Sequence, residues 1–276
     1  MNPSSATPFL LALTLIAGGM PLRAQVQRQK AWGILQSEVN NKNPARCAQA
    51  VRVLGLLPGD LDAVRLAEKA LEDGRFEVRM AAATSLGQMG SKASIPKLKK
   101  ALGDKEAPVV LASAHALRNL GDNSAYEVFY AVLTGKRKTG EGLLAKQERM
   151  LRNPKKMAQF GFEQGIGFVP FAGMGWFLVK AMAKDDVSPV RAAAAEVLAE
   201  DPDPVSGEAL VKAAFDKSWI VRAAALHAIA KRGDPNLMDS IIPAMADGNQ
   251  AVRCTAAAAV IRLSTPAKPA KDRKEQ

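Results

Sequence analysis

The chain has 276 residues, 48% of them hydrophobic and 24% charged, with a formal net charge of +11. This composition excludes a disordered polymer, and the length suits one large domain or two modest ones. Aromatics make up only 5%, so alanine carries much of the apolar content, which favours closely packed helices. The basic balance bears on anionic contacts and solubility, not on fold.

The first element is Phe9 to Met20 (FLLALTLIAGGM), an uncharged run of 12 residues. A bilayer span needs roughly 20, so the run reads as the apolar part of an export signal. Residues 1–24 are expected to be that signal, cut after Ala24, with a mature protein that is periplasmic or secreted. Two features depart from the usual pattern: Met1 to Pro8 carries no Lys or Arg, and Arg23 sits beside the cut. No Cys follows the apolar run, which argues against a lipid anchor.

Beyond the signal, the sequence repeats. Residues 78–86 read VRMAAATSL and 109–117 read VVLASAHAL; 190–198 read VRAAAAEVL, 221–229 VRAAALHAI and 252–260 VRCTAAAAV. Within each group the stride is 31 residues, and a degenerate copy begins at Ala45. Five residues before each Val stands an Asp: Asp73, Asp104, Asp185, Asp216 and Asp247. An Arg follows the Val as Arg79, Arg191, Arg222 and Arg253, with Arg46 in the degenerate copy. Gly90, Gly121 and Gly233 fall twelve residues after the Val.

Apolar residues after each Val recur at offsets of 3, 4 and 8, one stripe of a 3.6-residue helix. The glycine is placed to end that helix. A second stripe precedes each Asp, as in Ile95, Leu98 and Leu102, so each unit is a pair of helices. The Asp is expected to accept backbone N–H groups where the next helix starts. The Arg is expected to pair with an Asp of its own or a neighbouring unit, forming a structural ladder along the array.

The pattern D-x4-V-R-x-A-A-A-x-x-L followed by Gly resembles the HEAT-like repeat family, in the short form also found in phycobilisome lyase subunits. The resemblance covers roughly residues 28–265. It implies an all-α, right-handed α-solenoid of about seven HEAT-like helix pairs. Family members are mostly scaffolds and adaptors that bind partners on a curved helical surface, with the second helix of each pair lining the inner curve. The lyase subunits attach bilin chromophores, and nothing in this sequence matches a site for that.

The beat breaks between Val109 and Val190, where 81 residues exceed two periods by 19. Tyr126, Phe129 and Leu133 predict one more first helix. The organisation expected is an N-terminal block over 25–135, a degenerate repeat with a Gly/Phe-rich basic insertion over 136–175, a C-terminal block over 176–265 and a basic, solvated tail over 266–276. The insertion contains Phe160, Phe162, Phe168 and Phe171. It is preceded by Lys136, Arg137, Lys138, Lys146, Arg149, Arg152, Lys155 and Lys156. Three readings stay open: the phenylalanines plug the solenoid, anchor a partner, or touch an anionic membrane surface.

Chemistry is sparse. His115 and His227 occupy the same repeat position, three or four units apart, which does not assemble a metal site. Cys47 and Cys254 sit in the first and last units. Units stacked about 8–10 Å apart would hold them far beyond disulfide reach, leaving free thiols. The sequence has no nucleophile elbow, zinc-protease or C-x-x-C motif, and the glycine pairs at 165–167 and 173–175 lack a following G-K-[S/T]. No catalytic residue, metal or cofactor is expected. The candidate binding row on the second helices includes His115, Arg118, Asn119, Glu196, Glu200, His227 and Lys231. Its mixed signs argue against a nucleic-acid track. The expected partner is another protein, with a lyase-like enzyme subunit or a membrane-peripheral adaptor using residues 136–180 as the alternatives.

Overall fold

The computed structural model describes residues 21–134 and 187–265. These residues are helical, and no strand occurs among them. In chain order the helices are α1 (Leu22–Val39), α2 (Pro44–Val53), α3 (Leu61–Ala70), α4 (Phe76–Gln88), α5 (Ile95–Ala101), α6 (Ala107–Asn119) and α7 (Ser124–Leu133). After the undescribed stretch come α8 (Ser188–Leu198), α9 (Pro204–Ala213), α10 (Trp219–Arg232), α11 (Met238–Ile241) and α12 (Gln250–Ser264). The architecture is an all-α solenoid of helix pairs. The expected insertion and its phenylalanines, the export signal to residue 20 and the tail from 266 lie outside the described residues.

Local chemistry sets the helix ends. Asn43 caps α2 by accepting from the N–H groups of Ala45 (3.0 Å) and Arg46 (3.2 Å), with Pro44 in the first turn, where its missing N–H costs nothing. Asp60, Asp203 and Asn249 cap α3, α9 and α12 in the same way. The glycines twelve residues after the repeat valines adopt positive φ, 70° at Gly90, 79° at Gly121 and 69° at Gly233, a conformation that other L-residues rarely take.

The second helices form one continuous stack. In space its order is α8, α10, α12, α2, α4, α6, with the first helices α9, α3 and α5 packed against their own partners. The last unit therefore adjoins the first. Helix α12 packs along α1 and against α2, and Gln250 donates to the Arg46 carbonyl across 204 positions of sequence (3.1 Å). A simple rod with Cys47 and Cys254 at opposite ends, as the unit count predicts, is not what forms. The thiols are free and buried, but the reason is not separation along a rod, because their units are neighbours.

Small side chains set the close packing. Gly87 on α4 leaves no room for a Cβ, which would lie 2.7 Å from the Ala116 Cα on α6. Ser85 donates to the Val51 carbonyl of α2 (2.8 Å), satisfying a buried hydroxyl across the helix interface. Alanines at 81 and 82 on α4, 225 and 228 on α10, and 256 and 259 on α12 are also buried. The substitution Gly87→Ala should therefore force α4 and α6 apart and lower unfolding free energy by about 1–3 kcal/mol, measured by urea denaturation. An unchanged midpoint would show that the seam can relax.

Candidate partner-binding surface and the charge ladder

Three repeat arginines, Arg79, Arg222 and Arg253, make two sets of contacts each. Arg79 closes its own turn, donating from Nη1 to the carbonyls of Asp73 (2.8 Å) and Gly74 (3.1 Å). Its other nitrogens reach Asp104 of the next unit at 2.7 and 2.9 Å. Arg222 repeats this with Asp216 O (2.8 Å), Lys217 O (3.2 Å) and Asp247 at 2.7 and 3.0 Å. Arg191 pairs with Asp216. Each Asp also accepts the N–H two residues ahead: Arg75 for Asp73, Glu106 for Asp104, Ser218 for Asp216 and Asn249 for Asp247. The carboxylate thus shapes the turn before the helix rather than capping its first residues. Asp185 lies outside the described residues.

Two rungs depart from the expected pattern. Asp73 pairs with Arg75 (2.7 Å) instead of Arg46, and Arg75 reaches back to the carbonyls of Asn41 (2.9 Å) and Lys42 (3.3 Å). The guanidinium bridge persists, supplied from the opposite side of the joint between units. Arg253 closes its own turn on Asp247 O (2.7 Å) and Gly248 O (2.9 Å), then meets Glu38 of α1 at 3.4 Å. Glu38 also accepts from Arg46 at 2.7 Å.

These partners move the carboxyls. Hydrogen bonding from Arg75 holds Asp73 below the usual carboxylate range. Burial pushes Asp104 and Asp247 upward, but the hydrogen bonds from Arg79 and Arg222 and from the turn N–H outweigh it, and both end lowered. Burial raises the Cys47 thiol and lifts Cys254 to about 12, so neither thiolate forms near neutrality.

The proposed binding residues fall into two clusters. Glu196 on α8 and Glu200 in the turn after it meet His227 and Lys231 on α10: His227 Nδ1 lies 2.7 Å from Glu196 Oε1, and Lys231 lies 4.0 and 3.8 Å from the two glutamates. The His227 contact is close in distance but lacks hydrogen-bond alignment, leaving Nδ1 buried without a partner. At the other end of the stack, His115 packs edge-on against Phe129 with ring centroids 5.0 Å apart, while Arg118 and Asn119 are exposed. Between the clusters the equivalent positions are Ala258 and Val51, both fully buried, and the half-buried Thr84. The row is therefore interrupted at the joint, and the alanine at position 258 was its signal in the sequence. Phe160, Phe162, Phe168 and Phe171 lie outside the described residues.

No group of acidic, His and Cys side chains that could hold a metal occurs among the described residues, and none of their helices is long and apolar enough to cross a membrane. The geometry defines a helical-repeat scaffold, a stack of hairpins locked by arginine rungs. A family model for HEAT repeats matches residues 34–134 and 177–262, and the chain belongs to that family. No curated protein matches it. Among solved structures it is similar to human deoxyhypusine hydroxylase in complex with glycerol, at 18% identity over 87% of this chain and 99% of that one, TM-score 0.33. It is also similar to the complex of CpcE and CpcF of phycocyanin lyase from Nostoc sp. PCC7120, at 20% identity over 94% and 100%, TM-score 0.32.

The Arg79–Asp104 pair is little exposed, 10% and 13% at the side chains. Asp104→Ala leaves a buried guanidinium uncompensated and should cost about 3 kcal/mol. A double-mutant cycle with Arg79→Ala should return a coupling of about 1–3 kcal/mol; additive effects would mean that the rung contributes nothing. Because the folded pKa of Asp104 is depressed, its contribution is present above the unfolded value of about 3.9. That contribution is lost as pH falls through the lower folded value. Urea titrations of wild type and Asp104→Asn should therefore converge in the acid range below pH 4 and stay apart above it. In native protein, both thiols should resist alkylation at pH 8 and react only after unfolding, read by mass spectrometry.

Proposed function

We propose that this chain is an exported HEAT-repeat scaffold that binds a partner protein along the exposed positions of its second helices and carries out no reaction of its own. The observation that supports this reading most is the division of labour among the polar side chains. The repeat Arg and Asp residues are spent on the ladder, with their donors and acceptors satisfied inside the array. The residues between them, led by Glu196, Glu200 and Lys231, face outward in weak surface pairs that a partner can exchange for its own.

Export rests on residues 1–24. Helix α1 starts at Leu22, ahead of the expected cut. Removing the chain through Ala24 would take away the exposed Arg23–Asp239 contact of 3.7 Å, the buried Ala24 side chain and the Gln25 N–H bond to the Pro21 carbonyl (3.1 Å), but none of Arg28, Ala31, Leu35 and Glu38. Processing at Ala24 is thus compatible with the packing.

Immobilised protein should retain a specific partner from an envelope extract, and Glu196→Lys with Glu200→Lys should weaken that capture by about tenfold or more while leaving the helical signal intact. Equal capture by the double variant would remove the α8–α10 surface from the proposal. N-terminal sequencing of the exported form should begin at Gln25; a chain retained in the cytoplasm with residues 1–24 intact would refute export.

A further inference from the structure

We propose that residues 21–134 and 187–265 are two separable folding blocks, and that the docked joint of α1 and α2 on α12 is enough to hold them together once the chain between them is cut. Each block has its own rungs: Arg79–Asp104 in the first, Arg191–Asp216 and Arg222–Asp247 in the second. The joint between them is built like a protein–protein interface, with an apolar centre and charged ends.

The centre is dry. Ala31 and Leu35 on α1 are fully buried, and residues 254–261 of α12 are buried on every side of the helix. A helix buried all round is one that other elements enclose; here α10 and α11 cover part of it and α1 and α2, from the far end of the sequence, cover the rest. At one end Arg28 donates to the Ile261 carbonyl (3.1 Å) and the Thr265 hydroxyl (2.7 Å) and pairs with Asp60. At the other end Glu38 stands between Arg46 (2.7 Å) and Arg253 (3.4 Å), and Gln250 donates to the Arg46 carbonyl (3.1 Å). Ten residues of α1 separate the two clasps, about 15 Å along the helix.

Glu38 is the sensitive point. It occupies the place that the next unit's Asp takes elsewhere, and its side chain is 11% exposed. Replacing it with a cation would set three positive groups together where water screens them poorly.

The test uses the whole chain with a site-specific protease sequence inserted between Gly140 and Glu141, cut after folding. The nicked protein should elute as one particle of the uncut size at low micromolar concentration. Glu38→Lys should keep its helical signal uncut but, once nicked, dissociate with a Kd raised by about tenfold or more, and adding Arg253→Glu should recover most of the loss. Fragments that part as soon as wild type is cut would overturn the proposal. So would a nicked Glu38→Lys protein that holds as tightly as wild type. Should Glu38→Lys fail to fold uncut, Arg28→Ala reads the same interface from its opposite end, and an unchanged Kd there would overturn the proposal equally.

Discussion

The structure depends on a guanidinium that does two things at once. From one nitrogen it ties down the carbonyls of its own turn, and with the others it grips the carboxylate of the next unit. A buried charge without partners is strongly destabilising. The arginine therefore fixes the position of the next turn relative to its own, and the repeat passes its geometry along the chain. Alanine seams can slide because dispersion is non-directional; the bidentate pair supplies the register.

The same requirement explains the two irregular rungs. At the first unit the local sequence puts Arg75 where it can serve Asp73, so Arg46 is released to meet Glu38. At the last described unit Arg253 meets Glu38 of α1. In both places the chemistry is kept while the residue supplying it changes. A HEAT array ordinarily has two open ends, each with an apolar face to protect. Here the first and last units protect one another.

This arrangement shapes the binding reading. Surface residues on α8 and α10 lie at one end of the stack and those on α4 and α6 at the other, with the buried joint between them. A partner spanning the row would meet carboxylates on α8, pass a neutral centre, and reach Arg118 and Asn119 at the far end.

The sequence by itself determined the helix pairs, their stride and the chemistry of the rungs. A period of 31 with Asp, Val-Arg and Gly at fixed offsets encodes interactions between residues close in sequence or one unit apart, and periodicity reports those. It placed the family and the positive-φ glycines Gly90, Gly121 and Gly233 correctly. It said nothing reliable about which unit follows the last one, because contacts across more than 200 positions leave no periodic trace. One local anomaly did carry that information: the alanine at 258, where four other copies have Thr, His or Glu. Only the tertiary structure joined α12 to α1. Burying α12 on all sides and neutralising Arg253 both require a surface of matching shape and charge, and that match exists only once both blocks have folded.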